Sequence, residues 1–227
     1  MSQQESINSF CNHFQEQFNQ IVLIDNRRHQ KILLVTAIDA ISRAYRAPKP
    51  RFTRRFVNFI YDFGDWNDKD RVSLVQLSHR LPPHPPSKLR DYVERRLRNW
   101  KDFRPYGIDN DPMPSDLETL TTDAEKVQIE ACGHANLLYE YRCNLIHEFR
   151  EPGHGFESVA DRSPFYHSLT NFEGGTNLPY DTWELVYPVN FFISLTKSSL
   201  HNLKEHLSEK DIGPYSFYNF GTSWKHN

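Results

Sequence analysis

The chain has 227 residues, enough for one large domain or two small ones with a sizeable core, which excludes a peptide or a mini-scaffold. Its 27 Lys+Arg against 29 Asp+Glu leave a formal charge of -2, so no global basic excess marks it as a nucleic-acid binder. Apolar residues make up 38% and charged residues 25%, and 16 Phe, 11 Tyr and 4 Trp can fill a core, which excludes the disordered class.

From the N-terminus, Ile7, Phe10, Cys11, Phe14, Phe18, Ile21 and Val22 recur at the 3.6-residue period of an amphipathic helix. His29 to Tyr45 is apolar on most faces and predicts a central, buried helix, stopped by Pro48 and Pro50. Arg51 to Phe63 spaces Phe52, Phe56, Phe59, Ile60 and Phe63 as a stripe with Arg51, Arg54 and Arg55 off it, and Gly64 can end this helix. Arg71 to Leu81 fits both the helical and the strand period and is read as helix. After the stiff connector Pro82 to Pro86, a helix from Ser87 puts Leu89, Val93, Leu97 and Trp100 on one face and Arg90, Arg95, Arg98 and Lys101 largely on the others.

Arg104 to Thr121 reads as an acidic loop in which Ser115-x-x-Glu118 could cap a short turn. The longest helix is then expected between the capping box Thr122-x-x-Glu125 and the stop Pro152-Gly153. Ser163 to Leu169 and Asp181 to Tyr187, on either side of Asn171 to Asn177, predict a β-hairpin. Val189 to Ser208 is the last helix, opened by Pro188, and the aromatic tail from Ile212 is expected to dock on the body. The fold class is therefore all-α: a helical bundle with a small β-hairpin insert before the last long helix, in a single domain over residues 1–227.

Charge is unevenly placed along this order. Arg43 to Arg104 carries 16 Lys/Arg against 7 Asp/Glu, a local +9, while Pro105 to Arg150 carries 3 against 9, a local -6. The basic segments can line a groove for RNA phosphates through Arg51, Arg54, Arg55, Arg90, Arg95, Arg98 and Lys101, with Phe52, Tyr92 or Trp100 to stack bases. The simpler alternative is two solvated faces balanced by the acidic loop. Cys11, Cys132 and Cys143 fit neither a disulfide framework nor a CxxC site and suggest a reducing cytoplasm. MSQQESINSF lacks an apolar leader core and no run approaches 18 apolar residues, so neither export nor a membrane span is expected. His134, His154 and His167 match no common metal-ligand spacing, and no cofactor is expected.

Chemistry concentrates in Tyr139-Glu-Tyr-Arg-Cys-Asn-Leu-Ile-His-Glu-Phe-Arg150. Arg142, Asn144 and His147 offer a permanent cation, an amide and a titratable imidazole, which suit phosphodiester chemistry: charge stabilisation at phosphorus and proton movement near neutral pH. On an ideal α-helix a spacing of five turns through about 140° beyond a full turn, so Arg142 and His147 do not share a face. A reaching Arg142, a distorted last turn, or completion by a second protomer would each resolve this, the last predicting a dimer. The simpler alternative is two cations at a helix C-terminus, favoured by the helix dipole. Asp39 interrupts an apolar run and needs a partner, which could be Arg142 or another arginine. Cys143, beside Arg142, is read as a packed thiol.

Tyr141-Arg-Cys-Asn-Leu-Ile-His-Glu148 resembles the R-x4-6-H motif of the HEPN superfamily, small helical bundles that commonly dimerise so that two motifs meet in a cleft. The resemblance implies a metal-independent endoribonuclease of the toxin-antitoxin or phage-defence kind, with Arg142 and His147 as the catalytic pair, Asn144 in support, RNA as substrate and an antitoxin or regulatory protein as possible partner. It equally admits a catalytically silent module that binds RNA or protein. The chain departs from many active members in having Cys143 after the motif Arg. It also has Phe149 where members silenced by AMP transfer carry Tyr, which disfavours that control here. Arg162-x4-His167 fits the same short pattern, but it contains Pro164 and lies in the expected hairpin.

Overall fold

The computed structural model describes residues 2–52, 54–83, 85, 87–101, 104–158, 160–171 and 180–217. These are mostly helical, with one small antiparallel sheet. The chain clusters into two compact units: Met1–Trp66, Arg142–Arg150 and Phe192–Asn227 form the first, Asn67–Tyr141 and Glu151–Phe191 the second. Among the described residues no helix is long and apolar enough to cross a membrane.

In the first unit, α1 (Gln3–Ile21) opens on a capping box: Ser2 Oγ accepts the Glu5 N–H while the Glu5 carboxylate accepts the Ser2 N–H. Its apolar stripe Ile7, Phe10, Phe14 and Phe18 is buried, as the 3.6-residue period requires. Asn26 caps α2 (Arg27–Ile41), which buries Leu34, Val35, Ile38 and Ile41 and runs on into a short 3-10 turn, Ser42–Ala44. The basic, aromatic helix is α3 (Arg55–Phe63), shorter than the sequence stripe because Arg51, Phe52 and Arg54 lie outside it. Gly64 ends α3 with an extended φ of -73°. A Cβ there would stand 2.6 Å from the Ile60 carbonyl oxygen, so close approach, and not a left-handed turn, requires the glycine.

The second unit begins with the segment whose two periods conflicted. Val72 pairs with Gly133 in an isolated β-bridge, and α4 (Leu74–Arg80) starts two residues later on the Ser73 cap, so the segment is strand-like and then helical. Ser87 caps α5 (Lys88–Leu97). Within Arg104 to Thr121 lies a short helix, α6 (Pro114–Leu117), entered through Met113, whose N–H donates to Asp116; the expected Ser115 cap is replaced because Pro114 takes the first helical position.

The single long helix expected between Thr122 and Pro152 is broken. Thr122 and Glu125 do form the capping box, yet only a 3-10 turn and α7 (Lys126–Ala131) follow before the chain restarts as α8 (His134–Cys143). The cause is a diversion of backbone hydrogen bonds: Ser73 N donates to Cys132 O at 2.9 Å, His134 N to Arg71 O at 3.0 Å and Ala135 N to Lys69 O at 3.1 Å. Residues that would have continued the helix are paired with segment 69–73 instead. Val72, Leu74, Leu77, Leu81, Leu89, Val93, Leu117 and Cys132 form one core cluster here, and burial pushes the Cys132 thiol up to about 12.

The expected hairpin is β2 (Phe165–Asn171) against β3 (Tyr180–Val186), antiparallel from Phe165↔Val186 to Asn171↔Tyr180. A two-residue strand too short for a periodic signal, β1 (Tyr106–Gly107), pairs with β2 and makes the sheet three-stranded in the order β1-β2-β3. Of the expected hairpin loop, residues 172–177 lie outside the described residues. The last helix, α9 (Val189–Lys210), follows Pro188, and its part from Phe192 belongs to the first unit. There the Asn202 side chain donates to Phe63 O at 2.9 Å. The aromatic tail docks in the first unit as far as it is described, with the Tyr215 ring edge-on to Phe10 at 5.9 Å; residues 218–227 of that expectation lie outside the described residues.

Candidate functional site

The boundary between the units falls after Tyr141, so Arg142, Cys143, Asn144 and His147 all belong to the first unit. The α-helical winding of α8 stops at Cys143, and Asn144–Glu148 is wound as a π-turn. A coil closed by i→i+5 bonds turns through less angle per residue than one closed by i→i+4 bonds. It therefore narrows the angular gap between Arg142 and His147 left by a regular helix, the second of the three resolutions open from the sequence. Phe149 ends the turn in the left-handed conformation, φ 55° and ψ 28°, well before Pro152. For a bulky residue that conformation costs roughly 1–2 kcal/mol.

α2 packs against this turn. The Arg142 guanidinium reaches Asp39 with NH2 3.3 Å from Oδ2, and both side chains are about one-sixth exposed, at 15% and 16%. Asp39 also faces Arg55, 3.8 Å away and 46% exposed, so each partner that the sequence allowed is present. Arg55 is held further by Ser42, whose Oγ accepts its Nε–H at 3.1 Å while donating to Asp39 O at 2.6 Å. Cys143 Sγ lies 3.9 Å from Arg142 NH1, and Asn144 is half-buried. His147 is exposed to solvent. A cation braced by a carboxylate, one turn ahead of an accessible imidazole, can stabilise negative charge and move a proton at an adjoining oxygen.

The basic residues divide between the units. Arg51, Arg54 and Arg55 are exposed in the first, and the side chain of Asn58 fixes their segment: its Oδ1 accepts Phe52 N–H at 2.9 Å, and its Nδ2 donates to Phe52 O and Arg54 O at 2.6 and 3.1 Å. Phe52 stacks on Tyr61, and the Arg51 guanidinium sits 4.6 Å from the Tyr61 centroid. This segment is tied to the motif turn through the shared Asp39 carboxylate. Arg90, Arg95, Arg98 and Lys101 lie in the second unit. Arg90 is engaged by Glu94 at 2.7 Å and Leu81 O at 2.7 Å, whereas Arg95, Arg98 and Lys101 are exposed. Trp100 stacks on Tyr106 at 4.7 Å and meets Trp183 edge-on at 5.1 Å, so its ring belongs to a cluster.

The histidines singled out for their spacing go separate ways. His167 stacks on Phe156 at 4.3 Å, and the exposed His154 lies 2.5 Å from Glu184. His134 is fully buried, and its Nε2 lies 2.7 Å from Asp111 Oδ2. Tyr166 donates to the same oxygen at 2.5 Å, with Ser73 Oγ 2.7 Å from the phenol, and Asp111 Oδ1 accepts Leu74 N–H at 3.0 Å. Nothing in the local sequence links residues 73, 111, 134 and 166; tertiary pairing alone assembles them. Among the described residues no group of three or more His, Cys, Asp or Glu could hold a metal ion. No family model matches the chain, and no curated protein or solved structure matches it.

Proposed function

We propose that the chain is a metal-independent endoribonuclease of the HEPN type, working as a homodimer on RNA, with toxin-antitoxin or phage-defence service under an antitoxin or other regulatory protein. The observation that carries this reading is the Arg142–Asp39 pair directly ahead of the π-turn that bears the exposed His147. A ribose 2′-OH attacks its adjacent phosphorus, the bond from phosphorus to O5′ breaks, and the products are a 2′,3′-cyclic phosphate and a 5′-OH. His147 moves a proton at one of these two oxygens, and Arg142 stabilises charge on the phosphoryl oxygens. Asn144 adds an amide within the same turn. Arg51, Arg54 and Arg55, from the basic segment, supply phosphate attraction to a motif that itself lies in an acidic stretch of sequence.

The test is cleavage of single-stranded RNA in EDTA by wild type, Arg142→Ala and His147→Ala, with light scattering for the oligomeric state. His147→Ala is expected to slow cleavage roughly 10²–10⁴-fold. Cleavage that survives both substitutions would sink the site. One observation favours a second reading: Arg142 already has a carboxylate partner, as in a silent RNA-binding or protein-binding module. RNA retention without cleavage, weakened by Arg95→Glu and Arg98→Glu, would select that module.

A further inference from the structure

Phe149 is a bulky aromatic in an unusual place. It lies two residues past His147, it is 58% exposed, and its backbone is left-handed. Nearby, at Gly153 and Gly155, the chain meets positive φ with glycine, the residue that adopts it without strain. At 149 it keeps a phenyl ring. That ring leans on the imidazole of His29, with centroids 5.6 Å apart and planes at 51°, so one flank is fixed while the rest faces solvent. His29 lies in the first turn of α2 beside Arg27 and Arg28. Arg27, Arg28 and Arg150 are all exposed; Arg27 is bonded to Gln30 at 3.0 Å and Arg150 to Glu148 at 2.6 Å, and Arg28 directly precedes His29 in the chain.

We propose that Phe149 and His29 form a stacking platform for one unpaired base of a single-stranded RNA, the nucleotide flanking the scissile phosphate, with Arg28 attracting the next phosphate. The inference rests on the reading of the Arg142–His147 turn as the place where RNA is held. An aromatic face with a neighbouring cation is how single-stranded nucleic acid is gripped without base-edge readout. Glu148 and Arg150 flank Phe149 in the chain, and Arg27 and Arg28 precede His29, so charged residues adjoin both rings in sequence, which suits a nucleotide better than the apolar face of a partner protein. The platform is sequence-tolerant, and it favours purines because they stack over more area.

The probe is a 2′-O-methyl oligoribonucleotide carrying 2-aminopurine, which has no 2′-OH and so is bound but not cut. Wild type is expected to quench its fluorescence on binding, and Phe149→Trp to keep the quench. Phe149→Leu and Phe149→Gly should lose the quench and bind about tenfold or more weakly. Phe149→Gly separates this from misfolding: glycine accepts φ 55° freely, so its Tm should hold or rise while stacking is lost. Equal quenching by Phe149→Leu, no quenching by wild type, or a shift of oligomeric state in Phe149→Leu that assigns the ring to a contact between copies would each overturn the proposal. Its failure is distinguishable from failure of the nuclease reading. Cleavage that needs Arg142 and His147 but ignores Phe149 removes only the platform, and Phe149-dependent quenching without cleavage by any variant removes only the nuclease.

Discussion

Each unit holds a polar network around an aspartate, and the two differ in what water can reach. Asp111, His134, Tyr166 and Ser73 in the second unit are at most 1% exposed, and both carboxylate oxygens of Asp111 take donors at 2.5–3.0 Å. Asp39 in the first unit meets Arg142 and Arg55 at 3.3 and 3.8 Å beside solvent. A sealed and saturated network acts on stability and on the uniqueness of the core. A looser, solvent-facing one contributes little to stability but lets a cation exchange its partner for an incoming anion. An Asp–His–Tyr–Ser arrangement looks more like an active site on paper, yet it is the Arg–Asp–Arg arrangement that solvent can reach.

Asp111→Ala tests the sealed side and carries the larger expected effect. It leaves His134, Tyr166 and Leu74 N–H without their shared acceptor, and the fold should lose roughly 3–5 kcal/mol in urea unfolding. Under the proposed function, RNA cleavage per folded molecule should hold. Wild-type stability in this variant would mean that water already enters the network, and the contrast between the units would collapse.

Alkaline pH probes the same seal with a smaller step. Burial, followed by the Asp111 carboxylate, holds the Tyr166 phenol well above its usual range. Burial, followed by Glu151, does so for Tyr141, and burial, followed by Asp111, for Tyr187. The folded chain thus keeps protons that the unfolded chain releases near pH 10, so the stabilisation is complete below about 10 and is lost as pH rises above it. Each phenol adds up to about 1.4 kcal/mol per pH unit to that slope. Tyr166→Phe should flatten the fall by one such share. A wild-type curve that stays flat through about pH 11 would show these phenols in contact with water.

The long periodic stripes of α1, α2, α5 and α9 were legible because each buries one face, and burial is what a 3.6-residue period encodes, whereas α3 buries Phe56 to Ile60 without a gap and was legible from the spacing of its phenylalanines. The break at Gly133 was not, because its cause is a set of backbone bonds to Arg71 and Lys69, which leave no trace in side-chain pattern. Cys132-Gly133 carried the only local hint. β1 escaped for want of length. At the site, residue types were legible and geometry was not. Arg142 and His147 stood out as cation and imidazole, but a π-turn depends on how the helix end is held, and a spacing of five on an α-helix argued against the pair. Asp39 was visible as a carboxylate in an apolar run, although its choice between two arginines was decided by tertiary structure and came out as both.

The smallest expected effect on stability is the most discriminating for function. Asp39→Asn keeps an oxygen for hydrogen bonding and removes the charge that braces Arg142. Because the pair is partly solvated, stability should change by no more than about 1 kcal/mol. If Asp39 positions Arg142 for chemistry, kcat should fall about tenfold with KM little changed, since the loss is of orientation in the transition state and not of RNA binding. If Asp39 instead occupies Arg142 as in a binding module, freeing the guanidinium should tighten RNA binding, with no fall in turnover. Turnover and binding therefore separate the two readings in one variant, and stability reports independently whether the first unit's network is as loose as its 3.3 and 3.8 Å distances make it.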